Sequence, residues 1–123
     1  MTELTTSQIH YLDGQRLGRI ATAGRDQKPH VVPTSFRYNP ELGTIDVGGM
    51  HVAATKKYRD VQANPWAALV VDDLVSTDPW TPRMLEIRGP AEAVSTGGTD
   101  LGPGFGDGFI RIHPEKVNSY GID

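Results

Sequence analysis

Residues 44–73 read TIDVGGMHVAATKKYRDVQANPWAALVVDD, and their order decides the fold. The opening alternates, with Ile45 and Val47 on one side, and ends in Gly48-Gly49, so a strand runs into a loop. A short helix is expected over 55–63. Thr55 is a good N-cap, whose hydroxyl can accept from the amide of Lys57 or Tyr58, and Asn64-Pro65 closes the helix. Tyr58 and Val61, three apart, face a core. The following WAALVVDD is a short apolar run that reads as a buried strand.

The charge in this helix is misplaced. Lys56 and Lys57 fill its first positions, where the positive end of the helix dipole disfavours an exposed cation by about 0.3–1 kcal/mol. Two readings are open. An anion bound there would reverse the sign, with free amides and two ammonium groups converging on a phosphate or carboxylate. Alternatively the lysines sit in solvent, with Lys56 leaning on Asp60 one turn later.

Outward from this segment the chain reads as strands. Residues 5–13 (TTSQIHYLD) form a short helix capped by Thr5, Thr6 or Ser7, with Ile9 and Leu12 as a small apolar face. GRIATAG is a strand ended by the turn GRDQKP. HVVPTSFRYN alternates, with Val32, Thr34, Phe36 and Tyr38 opposite Val31, Ser35 and Arg37. Pro33 within it demands an edge position or a bulge, because proline donates nothing to a ladder. Downstream, LVSTDPWTP reads as a loop carrying Trp80. RMLEIRGPAEAVS is a long strand with Leu85, Ile87, Ala91 and Ala93 on one face, broken at Gly89-Pro90. The glycine-rich STGGTDLGPGFGDG reads as a flexible surface loop, and FIRIHP and KVNSYGID close the chain. Six strands and two short helices without βαβ alternation predict a mainly β protein, an antiparallel barrel, in one domain over 1–123.

Composition narrows the function. The 123 residues include 14 glycines and 9 prolines, which suits many turns, and no cysteine, which removes disulfides, thiolate nucleophiles and sulfur-ligated metals. A net charge of −3 argues against a nucleic-acid surface. No apolar run nears the roughly 20 residues of a membrane span, and the opening residues lack signal-peptide order. A cytoplasmic protein is expected. GPGFGDG at 102–108 lacks the lysine and Ser/Thr of a P-loop. His10, His30, His51 and His113 are scattered, so no metal site is expected. No G-x-S-x-G elbow occurs, and Asp72-Asp73 reads as a solvated strand end. With no assembled acid, base or nucleophile, an enzyme built on this chain would leave its chemistry to a cofactor. Trp80, in a proline-rich loop, reads as an interface or ligand contact.

The order strand, loop, Thr-Lys-Lys helix start, Asn-Pro and apolar strand in 44–73 resembles the pyridoxamine 5′-phosphate oxidase-like, flavin-reductase-like split β-barrel family. LGRIATAGRDQKPHVVPTSFRYN resembles that family's first hairpin, DDLVSTDPWTPRMLEIRGPAEAV its fifth strand and IRIHPEKVNSYGID its terminal strand. The phrases VVDDL, DPWTPR and RGPAE look most like the actinobacterial branch that uses the deazaflavin coenzyme F420.

The resemblance implies a six-stranded split β-barrel homodimer with two cofactor sites at the subunit interface. Thr55, Lys56 and Lys57 would take the cofactor phosphate, Lys57 foremost. Pro33, Thr34 and Ser35 with Gly48, Gly49 and Met50 would bed the ring system. Trp80 and Tyr120 would line the open face and reach toward the partner's site. The implied chemistry is hydride transfer from the reduced deazaflavin to an electron-poor small molecule such as an enone, a quinone or a tetrapyrrole. FMN on the same fold, and a non-catalytic protein that sequesters a cofactor or pigment, are the alternatives. Both cofactors end their ribityl chain in phosphate, but the longer acidic tail of F420 would need a further basic groove, drawing on Arg59 or Arg83. Tyr120 stands where this branch often carries tryptophan, and the loop at 95–108 is unusually glycine-rich. Both lie where substrate is expected.

Overall fold

The computed structural model describes residues 2–123, which form seven strands and two α-helices. Helix α1 (Thr6–Asp13) starts at Thr5, whose hydroxyl receives the Gln8 amide while the Gln8 side chain accepts from the Thr5 amide. This reciprocal pair satisfies two donors that a helix start leaves open. Tyr11 and Leu12 are buried and Ile9 packs beside them, which fixes α1 to the barrel.

Strands β1 (Gly18–Ala23), β2 (Pro29–Asn39) and β3 (Thr44–Gly48) form the expected antiparallel meander. β2 serves two neighbours in turn, pairing with β1 through Thr34 and with β3 from Ser35 onward. Pro33 therefore lies where β2 has a single partner strand, the local edge that a strand proline requires. After helix α2 (Lys56–Ala63) come β4 (Trp66–Thr77), β5 (Trp80–Val94), β6 (Phe109–Ile112) and β7 (Lys116–Tyr120). Neighbours follow the order β4-β1-β2-β3-β6-β5, and β5 pairs back onto β4, so six strands close a ring. β7 adds to β5 outside it. Ile20, Ile45, Leu69, Leu85, Ile87 and Ile110 fill the interior with no exposed surface.

The mainly β split-barrel architecture is as expected, with three corrections. Residues 74–82 are not a loop but the tip of a hairpin, paired to Thr77↔Trp80 and turned by Asp78-Pro79. A register shift between Leu74 and Ser76 absorbs the break in alternation that made this stretch look irregular. β5 is not broken at Gly89-Pro90; one of its edges changes partner there, from β7 along Met84–Arg88 to β6 along Ala91–Val94. The chain between β6 and β7 crosses so closely that a Cβ at position 89 would collide with the His113 carbonyl, and the His113 amide donates to the Pro90 carbonyl at 2.8 Å. The expected single terminal strand is consequently two.

Two polar clusters brace the barrel. Asp46 of β3, 2% exposed, accepts from Arg111 Nε and Nη2 at 3.0 and 3.1 Å, from Thr44 Oγ1 at 3.0 Å and from Asn39 Nδ2 at 3.2 Å. Asp73 of β4 accepts from the Tyr11 hydroxyl at 2.8 Å and from Arg83 Nε and Nη2 at 3.0 and 2.6 Å, tying α1 to the β4–β5 hairpin. Asp72-Asp73 thus lies within β4 and not at a strand end, with Asp72 exposed but paired to Arg19 and Asp73 held by Arg83. The Arg83 hydrogen bonds hold the Asp73 acid below its usual range against the opposing pull of burial. Burial and the Asp73 carboxylate push the Tyr11 phenol up to about 12.

Removing one partner of a buried bidentate pair strands the other, so Asp46→Ala should lower the unfolding free energy by about 3–5 kcal/mol in urea titrations. A loss under about 1 kcal/mol would mean that the pair behaves like an exposed one. For Tyr11, a raised acid pKa means the folded state holds its proton longer. Stability should then fall as pH climbs from the ordinary value of 10.0 toward about 12. Tyr11→Phe should flatten that part of a melting-temperature profile.

Candidate cofactor cleft

Four separate pieces of chain meet at the end of β3 that leads into α2. They are Leu17 before β1, Pro33–Ser35 of β2, the run Gly48–Val52, and Thr55 with Lys57 at the start of α2. Together they line a cleft of about 360 Å³, within the range of small-molecule sites. Every residue expected to hold a cofactor lies on it except Lys56.

The helix start explains that exception. The Thr55 hydroxyl receives the Tyr58 amide at 3.4 Å and donates to the Val52 carbonyl at 2.6 Å, so its hydrogen bonds are spent within the chain. Lys56 turns to Asp60, Nζ to Oδ1 2.8 Å, and Asp60 also accepts from the Thr22 hydroxyl at 2.9 Å. Burial works to raise the Asp60 acid, but the bonds from Lys56 and Thr22, with the charges of Lys56 and His30, outweigh it and hold it low. Asp60 therefore ties α2 to β1 through Thr22, and Lys56 is spent within the helix as its ion-pair partner.

Lys57 is different. It is 9% exposed, and among the described residues no carboxylate lies within 4 Å of its ammonium. Burial alone lowers its pKa below the ordinary lysine value. A buried cation without a partner is costly, and an anion in the cleft would relieve it. Lys57 also lies in the first turn of α2, whose first amides have no acceptor within the helix.

The other end is built from small residues and extended backbone. Gly48 is buried, and a Cβ there would lie 2.8 Å from Leu101 Cδ1 and 3.4 Å from Phe105. Those contacts correct the reading of 95–108 as a free surface loop. A helical turn at Gly98–Leu101 starts it, and Gly106 donates to the Gly49 carbonyl at 2.8 Å. A side chain at position 106 would strike the Met50 carbonyl, so glycine is required for this approach.

The donor set fits a phosphate-bearing, flat cofactor. An unpaired ammonium and helix-start amides stand at one end, with a floor of Gly48-Gly49 and Pro33–Ser35 at the other. Trp80 and Tyr120 do not line this cleft; they are 70% and 62% exposed, at the hairpin tip and on β7. Arg83 is held by Asp73, and Arg59 donates to the Ala54 carbonyl at 3.2 Å, so neither extends the cleft. Leu17, His51 and Val52 line it without having been expected. Leu17 and Met50 are large apolar side chains left more than half exposed, a signal of function that only the folded chain displays. Neither helix is long and apolar enough to cross a membrane.

Comparison with known proteins bears on the fold and the family. The chain is 41% identical over 119 residues to a 5a,11a-dehydrotetracycline/5a,11a-dehydrooxytetracycline reductase of Streptomyces rimosus, covering 97% of this chain and 84% of the relative. Among solved structures, an FAD-binding protein of Mycobacterium smegmatis superposes with a TM-score of 0.66 at 22% identity, over 98% of this chain and 97% of that one. A heme storage protein of Vibrio cholerae superposes with a TM-score of 0.69 at 14% identity, over 98% and 96%. At such identities these two show the fold alone. The model of the pyridoxamine 5′-phosphate oxidase family matches residues 6–102. The ring of strands, the capped helix after β3 and this match together establish that the chain belongs to the pyridoxamine 5′-phosphate oxidase family.

Proposed function

We propose that this protein is a cytoplasmic, homodimeric oxidoreductase that holds coenzyme F420 in the cleft and reduces an electron-poor small molecule such as an enone, a quinone or a tetrapyrrole. The observation that carries the reading is Lys57, which lines the cleft while only 9% exposed, with no carboxylate within 4 Å of its ammonium among the described residues. The reductase relative from Streptomyces rimosus supports the reaction type. FMN is the second reading, favoured by the match to the pyridoxamine 5′-phosphate oxidase family. Both cofactors present the phosphate that Lys57 would bind.

In this reading Lys57 and the helix-start amides hold the phosphate, while Pro33–Ser35 and Gly48–Met50 bed the ring through backbone contacts. When bound in reduced form, the cofactor supplies a hydride to an electron-poor carbon of the acceptor, which takes a proton from water to complete a two-electron reduction. The chain's part is then position: reacting atoms held about 3–3.5 Å apart account for much of such a rate. Val31, Leu74 and Trp80, on the sheet surface and hairpin tip, leave apolar area exposed. A second copy covering that area would bring Trp80 and Tyr120 toward its neighbour's cleft.

Fluorescence titration with F420 and, separately, FMN should show saturable binding of F420, and the reduced cofactor should be consumed when a quinone or enone is added. Binding without turnover would make the protein a carrier. Lys57→Ala should weaken cofactor binding tenfold or more, about 1.4 kcal/mol or above. Lys57→Met should leave the cofactor-free protein at least as stable as wild type at neutral pH, because it removes an unpaired buried charge. A variant that binds as tightly as wild type would refute the assignment. Since burial lowers the Lys57 pKa, affinity should begin to fall at a pH below the ordinary 10.5. Sedimentation should give a dimer, and Trp80→Ser should shift it toward monomer.

A further inference from the structure

Beside the cleft lies a larger groove of about 740 Å³. It shares Leu17 and Ser35 with the cleft but reaches neither Thr55 nor Lys57, so it continues from the ring end and not from the phosphate end. Its walls are Leu12, Leu17 and the ring of Phe105, which is carried by the glycine-rich loop between β5 and β6.

Two guanidiniums, Arg16 and Arg37, line this groove against one carboxylate, Asp13. Among the described residues, neither arginine has a carboxylate within 4 Å. Arg37 is nonetheless held in place. Its Nη1 donates to the Phe36 carbonyl at 2.8 Å, and its guanidinium lies 5.2 Å from the centre of the Phe105 ring. An arginine fixed by a carbonyl and an aromatic face keeps further N–H donors for a ligand, and its planar fork matches an anionic oxygen. Uncompensated positive charge stands out in a chain whose net charge is −3.

We infer that this groove is the acceptor subsite, and that it selects a flat, fused-ring acceptor bearing an anionic oxygen, which Arg37 binds while Phe105 stacks on the ring. This rests on the proposed reductase reading for the word acceptor, but not for the ligand's chemistry. The apolar and aromatic walls favour a planar body over an extended acidic chain. The tail of F420 follows its phosphate, and the groove lies at the other end of the cleft. Arg37 and Phe105 are thus assigned as specificity-determining residues.

The test is equilibrium dialysis of the full chain, without cofactor, against anthraquinone-2-carboxylate and its neutral counterpart 2-(hydroxymethyl)anthraquinone. Wild type should bind the carboxylate more tightly by about fivefold or more. Arg37→Gln should abolish that preference while changing affinity for the neutral probe less than about twofold. Arg37→Lys should restore part of it, and Phe105→Ala should weaken both probes alike. Circular dichroism of each variant checks the fold. Equal binding of the two probes by wild type, a preference that survives Arg37→Gln, or no binding of either probe up to about 1 mM would overturn the inference.

Adding F420 should leave the carboxylate probe bound. Its displacement by F420, but not by the tail-free deazaflavin, would put the cofactor's tail in the groove and overturn the inference as well. If Arg37 selects the anion while Lys57→Ala binds cofactor normally, the groove stands and the proposed cofactor site falls. If Lys57→Ala loses cofactor while Arg37→Gln keeps the preference, the cofactor site stands and this inference falls.

Discussion

Everything in this molecule depends on β5 finding partners for both of its edges. One edge runs along β4 for the length of the hairpin, and the other is shared in sequence by β7 and β6. Without the β5–β6 pairing the ring would open between those two strands, exposing an unpaired edge on each. The handover from β7 to β6 takes place at Gly89-Pro90, where a neighbouring carbonyl occupies the space of a side chain. Closure also makes the cleft. It sets β3 between β2 and β6, and the end of β3, the middle of β2 and the start of α2 meet beside it.

Two adjacent lysines show how the same chemistry takes opposite parts a residue apart. Successive helical positions point about 100° apart, so Lys56 and Lys57 meet different surroundings. Lys56 finds Asp60 one turn on, and the pair joins a hydrogen-bonded cluster with Thr22 that anchors the helix. Lys57 is buried beside the cleft with its charge unmet. A fold gains nothing from that arrangement in the absence of a ligand. That conflict is what motivates the proposed anion site, since a bound partner would reverse the cost.

The local elements were legible in the sequence because their signals are local. Thr5 and Thr55 cap as hydroxyls before helices do, Asn64-Pro65 stops α2, and the alternation in β2 places Phe36 inward and Arg37 outward. The order of these elements in a known family named the residues that the structure brings together in the cleft, Lys56 apart. What escaped was tertiary. Asp46 reads as an outward residue of a two-faced strand, yet Arg111, 65 positions away, covers and pairs it. Asp73 reads as a turn acid because its partners, Tyr11 and Arg83, come from other elements. The Asp78-Pro79 turn hid the hairpin tip, since proline and a shifted register mask the alternation that defines strands.

The glycine-rich segment was misread for an instructive reason. Glycine in sequence suggests freedom, but in a packed structure it equally permits contact that no side chain would allow. Here Gly106 lies against the Gly48–Met50 run, and Gly108 against Ala53, so the loop is fastened to the wall of the cleft along its length. Fastening has a consequence for chemistry. The loop places Phe105 over Arg37 and beside Gly48, where the groove meets the cleft. Phe105 lines the groove and not the cleft, and Lys57 lines the cleft and not the groove, so a substitution in the loop alters one space without touching the charged side chain of the other.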